Sequence, residues 1–215
     1  MKTIEPVMKI LSKKYNSISN TTLNKMRGKP DSYKILISCL LSLRTRDEIT
    51  ERVSKELFKI ADTPEKIIKL SIKELKKIIF KTGHYNKKAE ILKYVSKEII
   101  EKYNSKVPDT YEELISIKYI GPKTAKIVLA FAFDKNFIPI DTHCHRIPNR
   151  LGWVKTKTAE QTDKEIPKIL PKKYWKDFNA IFVQFGREIC TPLSPWCSKC
   201  PIEKYCLKIN VLKNR

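Results

Sequence analysis

The sequence predicts an all-α fold, and three observations predict it. Apolar residues recur at helical spacing along most of the chain, the only strand-like segment is a proline-broken tetrapeptide, and glycine occurs just five times in 215 residues. Ile4, Val7, Met8 and Leu11 mark a short amphipathic helix at the start. Tyr33 to Leu43 is nearly all apolar, as a buried helix would be, and ends at the charged turn Arg44-Thr45-Arg46-Asp47. Ser71 with Glu74, Thr110 with Glu113 and Thr158 with Gln161 fit the capping box, while Pro64, Pro122 and Pro171 sit where a first helical residue would. Gly83 follows Lys76–Lys81 as a helix-ending glycine should. Ala89–Tyr103 repeats apolar residues at Ile91, Leu92, Val95, Ile99 and Ile100, the spacing of one buried face. Phe137-Ile138-Pro139-Ile140 is β-like but too short to build a sheet. About ten short helices are expected, with no fixed repeat and no low-complexity linker.

Charge narrows the partner. Lys and Arg number 44 against 23 Asp and Glu, a net charge of +21, and 41% of residues are hydrophobic. A chain that apolar folds, so this is no disordered polycation. Nucleic acid is the first partner such a surplus suits, an anionic membrane surface the second. The longest uninterrupted apolar stretch, Ile127 to Phe133, has seven residues, far short of the roughly 20 a spanning helix needs. The N-terminus carries Glu5 and Pro6 where a signal peptide has its apolar core, so an intracellular protein is expected. Only eight of the basic residues are arginine, leaving 36 lysines. No single lysine means anything until something else marks it.

Six cysteines fall into two kinds. Cys39 lies in the apolar run Ile35–Leu41 and reads as a small core residue. Cys190, Cys197, Cys200 and Cys206 form a C-x6-C-x2-C-x5-C cluster. In an intracellular chain such spacing points to metal rather than disulfides, and four thiolates suit structural zinc or an iron–sulfur cluster.

Two further segments carry chemistry. Ile117-Lys118-Tyr119-Ile120-Gly121-Pro122-Lys123-Thr124-Ala125 looks like the second half of a helix–hairpin–helix. Gly121 would permit the tight turn and Pro122 start the next helix, whose unpaired N–H groups can hold a DNA phosphate without reading sequence. Beyond that helix comes Asp141-Thr142-His143-Cys144-His145-Arg146. Asp141 there suits an N-cap for the helix entered at Thr142. A separate metal site on Asp141, His143, Cys144 and His145 is disfavoured, because residues two apart diverge on a helix.

Hairpin, aspartate and four-cysteine spacing, in that order, resemble the endonuclease III family of DNA glycosylases, from about residue 30 to Cys206. The resemblance also takes in Leu40–Asp47 and Lys81–Ala89. It implies a two-lobed helical helix–hairpin–helix DNA glycosylase fold with a C-terminal 4Fe–4S cluster loop. One six-helix lobe would span 26–135, and residues 1–25 with 136–215 would form the second. It implies a 4Fe–4S cluster, rather than zinc, on Cys190, Cys197, Cys200 and Cys206. It puts Lys123 at the lysine nucleophile and Asp141 at the catalytic aspartate. Ile120, Gly121, Pro122 and Thr124 would hold the DNA backbone, with His143 and Lys199 as further contacts, and Arg44 and His84 would enter the duplex when the base is flipped out. The expected partner is double-stranded DNA with a damaged base or abasic site, met by a monomer.

The chemistry gives these residues work. Breaking an N-glycosidic bond builds positive charge on the sugar, which a nearby carboxylate stabilises. Lys123 must be neutral to attack, against a reference pKa of ~10.4. Desolvation and the positive end of the helix at Pro122 would both favour the neutral amine. The imine so formed would permit β-elimination of the 3′ phosphate, so base removal and strand cleavage are both expected.

Three departures stand out. Family hairpins commonly read L-P-G-V-G, and Lys118-Tyr119 replaces Pro-Gly, so the backbone there should be one a tyrosine can adopt. The glutamine common in the lesion loop is missing, with Leu43 and Arg44 in that region. Thr191–Trp196 has no basic residue, which leaves any grip on the DNA backbone there to Lys199, Arg187 or Lys204. The expected activity is a bifunctional glycosylase and abasic-site lyase acting on oxidised pyrimidines. The rivals are a mismatch or other modified-base glycosylase of the same fold, and a non-enzymatic iron–sulfur DNA-binding module.

Overall fold

The computed structural model describes residues 3–15, 22–26 and 31–215. Among them are twelve α-helices and three short 3-10 turns, with no strand. Phe137–Ile140 contributes Ile138 and Ile140 to the core without pairing in a ladder. The chain divides into two compact units, Thr21–Lys135 and Met1–Asn20 with Asn136–Arg215.

The unit Thr21–Lys135 holds α2 (Thr22–Met26), α3 (Ser32–Ser42), α4 (Asp47–Ile60), α5 (Pro64–Lys69), α6 (Ile72–Ile79), α7 (Tyr85–Tyr103), α8 (Tyr111–Ser116) and α9 (Pro122–Ala132). The resemblance implied six helices in 26–135, where α3–α9 lie; α5, of six residues, is too short to display a period, as is the five-residue α2 ahead of that lobe. The apolar run becomes α3, whose Ile35, Leu36, Ile37 and Leu41 have 0% exposure. It is covered by α4, α7 and α9. Hydroxyls trapped in this core are paired, Tyr33 Oη with Ser96 Oγ at 2.6 Å and Ser38 Oγ with Ser54 Oγ at 3.4 Å. An unpaired hydroxyl at such depth would be costly.

Start signals are local chemistry, and most act as read. Ser71 and Glu74 form a complete capping box on α6, and Thr63 and Thr110 cap α5 and α8. Pro64 and Pro122 open α5 and α9. Pro171 does not open an α-helix: its carbonyl accepts from Tyr174 N–H at 2.9 Å, which closes a 3-10 turn at Lys172–Tyr174. Gly83 does not end a helix either. α6 stops at Ile79, and Gly83 is needed because a Cβ there would lie 2.5 Å from the Arg44 carbonyl oxygen.

The second unit holds α1 (Ile4–Lys14), α10 (Thr142–Leu151), α11 (Ala159–Ile169) and α12 (Trp175–Glu188). Val7, Met8 and Leu11 of α1 are fully buried, and α1 packs on α12. Phe178 and Phe182 of α12 stack at 4.2 Å, and Trp153 lies 5.9 Å from Phe182. The Trp153 indole N–H donates to Thr3 Oγ1 at 3.1 Å, tying α1 to the C-terminal half of the chain. Among the described residues no helix is long and apolar enough to cross a membrane.

Candidate nucleic-acid interface and active site

Between α8 and α9 the chain reverses within four residues. Ile117 and Ile120, 1% and 4% exposed, anchor the reversal in the core, and Ile120 N–H donates to the Ile117 carbonyl at 3.0 Å. Lys118 and Tyr119 are the central residues, and Tyr119 has φ +76°. That is the third position of a four-residue turn, where φ near about +80° favours glycine. The expectation that this backbone suits a tyrosine therefore fails. The physical reason is the closing bond: with both isoleucines buried, the turn must pass through the left-handed region at residue 119 whatever stands there. The displaced ring meets Tyr94 edge-on at 5.5 Å, with Lys118 Nζ 5.2 Å from its centroid.

Gly121 plays a different part from the one expected. Its φ is −89°, and a Cβ added there meets nothing within 4 Å, so the turn does not require a glycine at this position. What its missing side chain does is leave α9 uncapped. Pro122 has no N–H, and the amides of Lys123 and Thr124 have no helical acceptor, which makes an open anion site in front of the helix. Ile120 and Thr124 have buried side chains, so their peptide groups are what they can offer a ligand. Gly121, Pro122 and Lys123 are exposed.

Lys123 thus stands in the first turn of α9, in the field of the helix's positive end. Its exposure removes one half of the expected argument, because burial in the free protein does not desolvate it. Beneath it lies Cys39 of α3, a thiol that burial pushes up to about 12 and that the Lys123 charge pulls back slightly.

In the other unit Asp141 is the N-cap of α10. Its Oδ1 accepts from both His143 N–H and Cys144 N–H at 2.9 Å. Both bonds fall on one oxygen, which leaves Oδ2 for other chemistry. His143 packs over Gly186 of α12, where an added Cβ would come within 2.3 Å of its Nδ1. Arg146 Nη2 donates to that Nδ1 at 3.1 Å, and to the Cys190 carbonyl at 2.7 Å. His145 turns instead to Thr162 Oγ1 of α11, at 2.6 Å. The two imidazoles serve different helices.

Arg44 and His84, the tips expected to enter DNA, are exposed and both have positive φ, 53° and 56°. They stand at the end of α3 and the start of α7, within one unit.

Cys190, Cys197, Cys200 and Cys206 are free thiols that line one small cavity with Ile147, Phe185 and Trp196. Among the described residues no His, Cys, Asp or Glu group forms a ready metal-ligand set. The donor chemistry around the sulfurs fits thiolates all the same. Buried Arg150 donates from Nη1 to Cys190 Sγ at 3.3 Å, and Lys208 N–H points at Cys206 Sγ at 3.4 Å. Burial raises the Cys200 thiol to about 11 and lifts the Cys197 and Cys206 thiols above their ordinary value, so these three sulfurs ionise readily only beside a cation.

The uncharged loop 191–196 gains charge from a residue that sequence reasoning missed. Arg215 stacks on Trp196 with its guanidinium carbon 4.0 Å from the ring centroid, while Lys199 Nζ lies 4.9 Å away. Arg215 N–H donates to the Pro195 carbonyl at 2.8 Å, and the Arg215 carbonyl accepts from Ser198 N–H at 3.0 Å. Nothing in the motif spacing announces that residue 215 folds back here.

Residues 37–172 match the HhH-GPD superfamily of base excision DNA repair proteins. The chain belongs to that superfamily. It is 45% identical over 176 residues to endonuclease III of Thermotoga maritima, covering 82% of this chain and 83% of that one. Its fold superposes on a trapped endonuclease III–DNA covalent intermediate with a TM-score of 0.86 and 29% identity, over 96% and 95% of the two chains. A thermostable thymine-DNA glycosylase is similar at a TM-score of 0.83 and 25% identity, over 95% of each chain. The stretch matching the superfamily contains the hairpin, Lys123 and Asp141, and ends before the four clustered cysteines at 190–206.

The backbone reading predicts a pair of opposite effects. Tyr119→Gly should be more stable than Tyr119→Ala by about 1 kcal/mol, since only the glycine escapes the left-handed penalty. At residue 121 the order reverses, and Gly121→Ala should be neutral or stabilising by up to about 1 kcal/mol. Thermal unfolding of the three variants measures both differences.

Proposed function

We propose that this protein is a bifunctional DNA glycosylase and abasic-site lyase of base excision repair, acting on oxidised pyrimidines in double-stranded DNA. The observation that carries the reading is a lysine in the first turn of an uncapped helix, immediately after the hairpin, in a chain of this superfamily. The uncapped amides of α9 take a backbone phosphate, which brings the neighbouring nucleotide to Lys123. Bound DNA covers the exposed ammonium and, with the helix's positive end, favours its neutral form. Lys123 Nζ then attacks C1′ of the extruded nucleotide as the N-glycosidic bond breaks, and the departing base takes the bonding electrons and a proton. Loss of a proton from Nζ gives the neutral aminal, and cleavage of the C1′–O4′ bond, with the ring oxygen taking a proton, opens the sugar to the imine. Removal of a C2′ proton expels the 3′ phosphate and cuts the strand. Asp141 carries the electrostatic part: Oδ1 keeps α10 capped, and Oδ2 is left to stabilise the developing sugar cation and accept a proton. The endonuclease III similar to this chain was trapped covalently on DNA, which supports a covalent route.

Cys190, Cys197, Cys200 and Cys206 hold a 4Fe–4S cluster in this reading. Bound there, the cluster supplies structural order to the segment 190–206, and Arg150 and Lys208 offset its thiolates. Lys199 and Arg215, on either side of Trp196, then meet the DNA backbone where loop 191–196 has no charge of its own.

The similarity to a thymine-DNA glycosylase favours one alternative, removal of a mismatched base by the same fold. A panel of duplexes with thymine glycol, 5-hydroxycytosine or a G·T mismatch separates the two, and release of the oxidised bases alone is expected.

Borohydride should trap a covalent adduct between the protein and an abasic-site duplex, and Lys123→Ala should abolish it. Undiminished trapping in that variant would contradict the assignment. Asp141→Asn, which preserves the cap, should slow base release by about 10²–10³. The purified protein should be brown, with about four iron atoms per chain. Cys197→Ser should lower thermal stability and DNA affinity together, and lost catalysis with intact DNA binding would speak against a structural cluster.

A further inference from the structure

Among the described residues one lysine is buried. Lys88, on α7, is 5% exposed. Burial pulls its ammonium down to about 8, and no carboxylate is among the causes of its shift. A buried cation without an anion is an expensive choice where a methionine would fill the same space. Its hydrogen bonds explain what it does there. Lys88 Nζ donates to the Leu41 carbonyl at 2.7 Å, at the negative end of α3, and to Thr45 Oγ1 at 2.7 Å.

Thr45 completes the link. The same hydroxyl oxygen accepts from Gly83 N–H at 3.1 Å, and its own hydrogen is directed at the Leu43 carbonyl, 3.4 Å away. One threonine therefore joins the turn after α3 to the turn before α7, across 38 residues of sequence. Gly83 brings the two backbones together so closely that a methyl group would reach the Arg44 carbonyl. Each joined turn carries an exposed L-residue in the left-handed region, Arg44 on one side and His84 on the other. Such conformations persist only where their surroundings enforce them.

We propose that Lys88 and Thr45 are positioning residues for base extrusion, bracing the Arg44 and His84 tips as one preset unit before DNA arrives. The inference rests on the reading above that these two tips enter the duplex. Ordering both turns is then part of folding, and binding does not bear that cost. An unpaired nucleotide needs no extrusion, so chemistry at Lys123 on single-stranded DNA should be indifferent to the brace.

The test compares single-turnover cleavage of a duplex containing thymine glycol opposite adenine with cleavage of a single-stranded oligonucleotide bearing an abasic site. Thr45→Val removes the hydroxyl at constant shape, and Lys88→Met removes the ammonium. Each should slow the duplex reaction about tenfold or more while leaving the single-stranded reaction within about twofold. Thr45→Ser keeps the hydroxyl and should restore the duplex rate. Gly83→Ala forces the two turns apart without touching the polar groups, and should reproduce the Thr45→Val pattern if that variant fails to fold. Full duplex activity in folded Thr45→Val or in Gly83→Ala would overturn the brace, as would equal loss on both substrates. Arg44→Ala and His84→Ala tell the two readings apart. If they slow duplex cleavage and Thr45→Val does not, the brace alone is wrong. If neither slows it, the tips do not insert and the brace fails with them. Absence of single-stranded cleavage by the unaltered protein would overturn the lyase reading and the brace together.

Discussion

An α-helix that begins without a cap is the constraint on which the rest of this protein depends. Six of the described helix starts are closed by a nearby side chain, at Asp31, Thr63, Ser71, Thr110, Asp141 and Thr158, while α1, α4, α7 and α12 begin without one. At α9 a glycine stands in the capping position and a proline follows it, so the first-turn amides face outward unanswered. An uncapped start costs about 1 kcal/mol relative to a good cap. The molecule tolerates a second cost next to it, a tyrosine held in a glycine-like conformation. Buried Ile117 and Ile120 enforce both by fixing where the reversal occurs.

In the proposed mechanism the lysine and carboxylate roles follow from helix ends rather than from elaborate networks. Lys123 occupies the positive end of α9, and Asp141 the positive end of α10, where one of its oxygens is already committed to backbone amides. Each residue is oriented by the helix it starts, so a short stretch of backbone fixes each functional group. The arginine on Trp196 and the lysine beneath the Arg44 turn show the complementary pattern, in which a cation is placed by contacts remote in sequence.

That contrast explains how much was legible in the sequence. Helix starts, the buried run at α3 and the amphipathic α1 depend on residues within one or two turns, and local pattern reveals them. Pro171 misled because a proline equally opens a 3-10 turn, and the choice depends on the Tyr174 bond. Gly83 misled because the reason for glycine lies 39 residues away, at the Arg44 carbonyl. Tyr119 misled because the turn's geometry is set by what its neighbours bury. Lys88 was invisible as one of 36 lysines, and only its burial distinguishes it. Arg215 carried no signal at all. In the proposed reading the +21 surplus, first an argument for any polyanion, becomes a few cations with defined tasks on a background of salt-sensitive grip.

In the proposed mechanism one exposed lysine, at the open end of α9, forms the covalent bond to DNA. Peptide mapping by mass spectrometry of the borohydride-reduced protein–DNA adduct tests it most directly. A single modified peptide with the sugar remnant on Lys123 is expected. A remnant on Lys88, on any other lysine or on the terminal amine would contradict it.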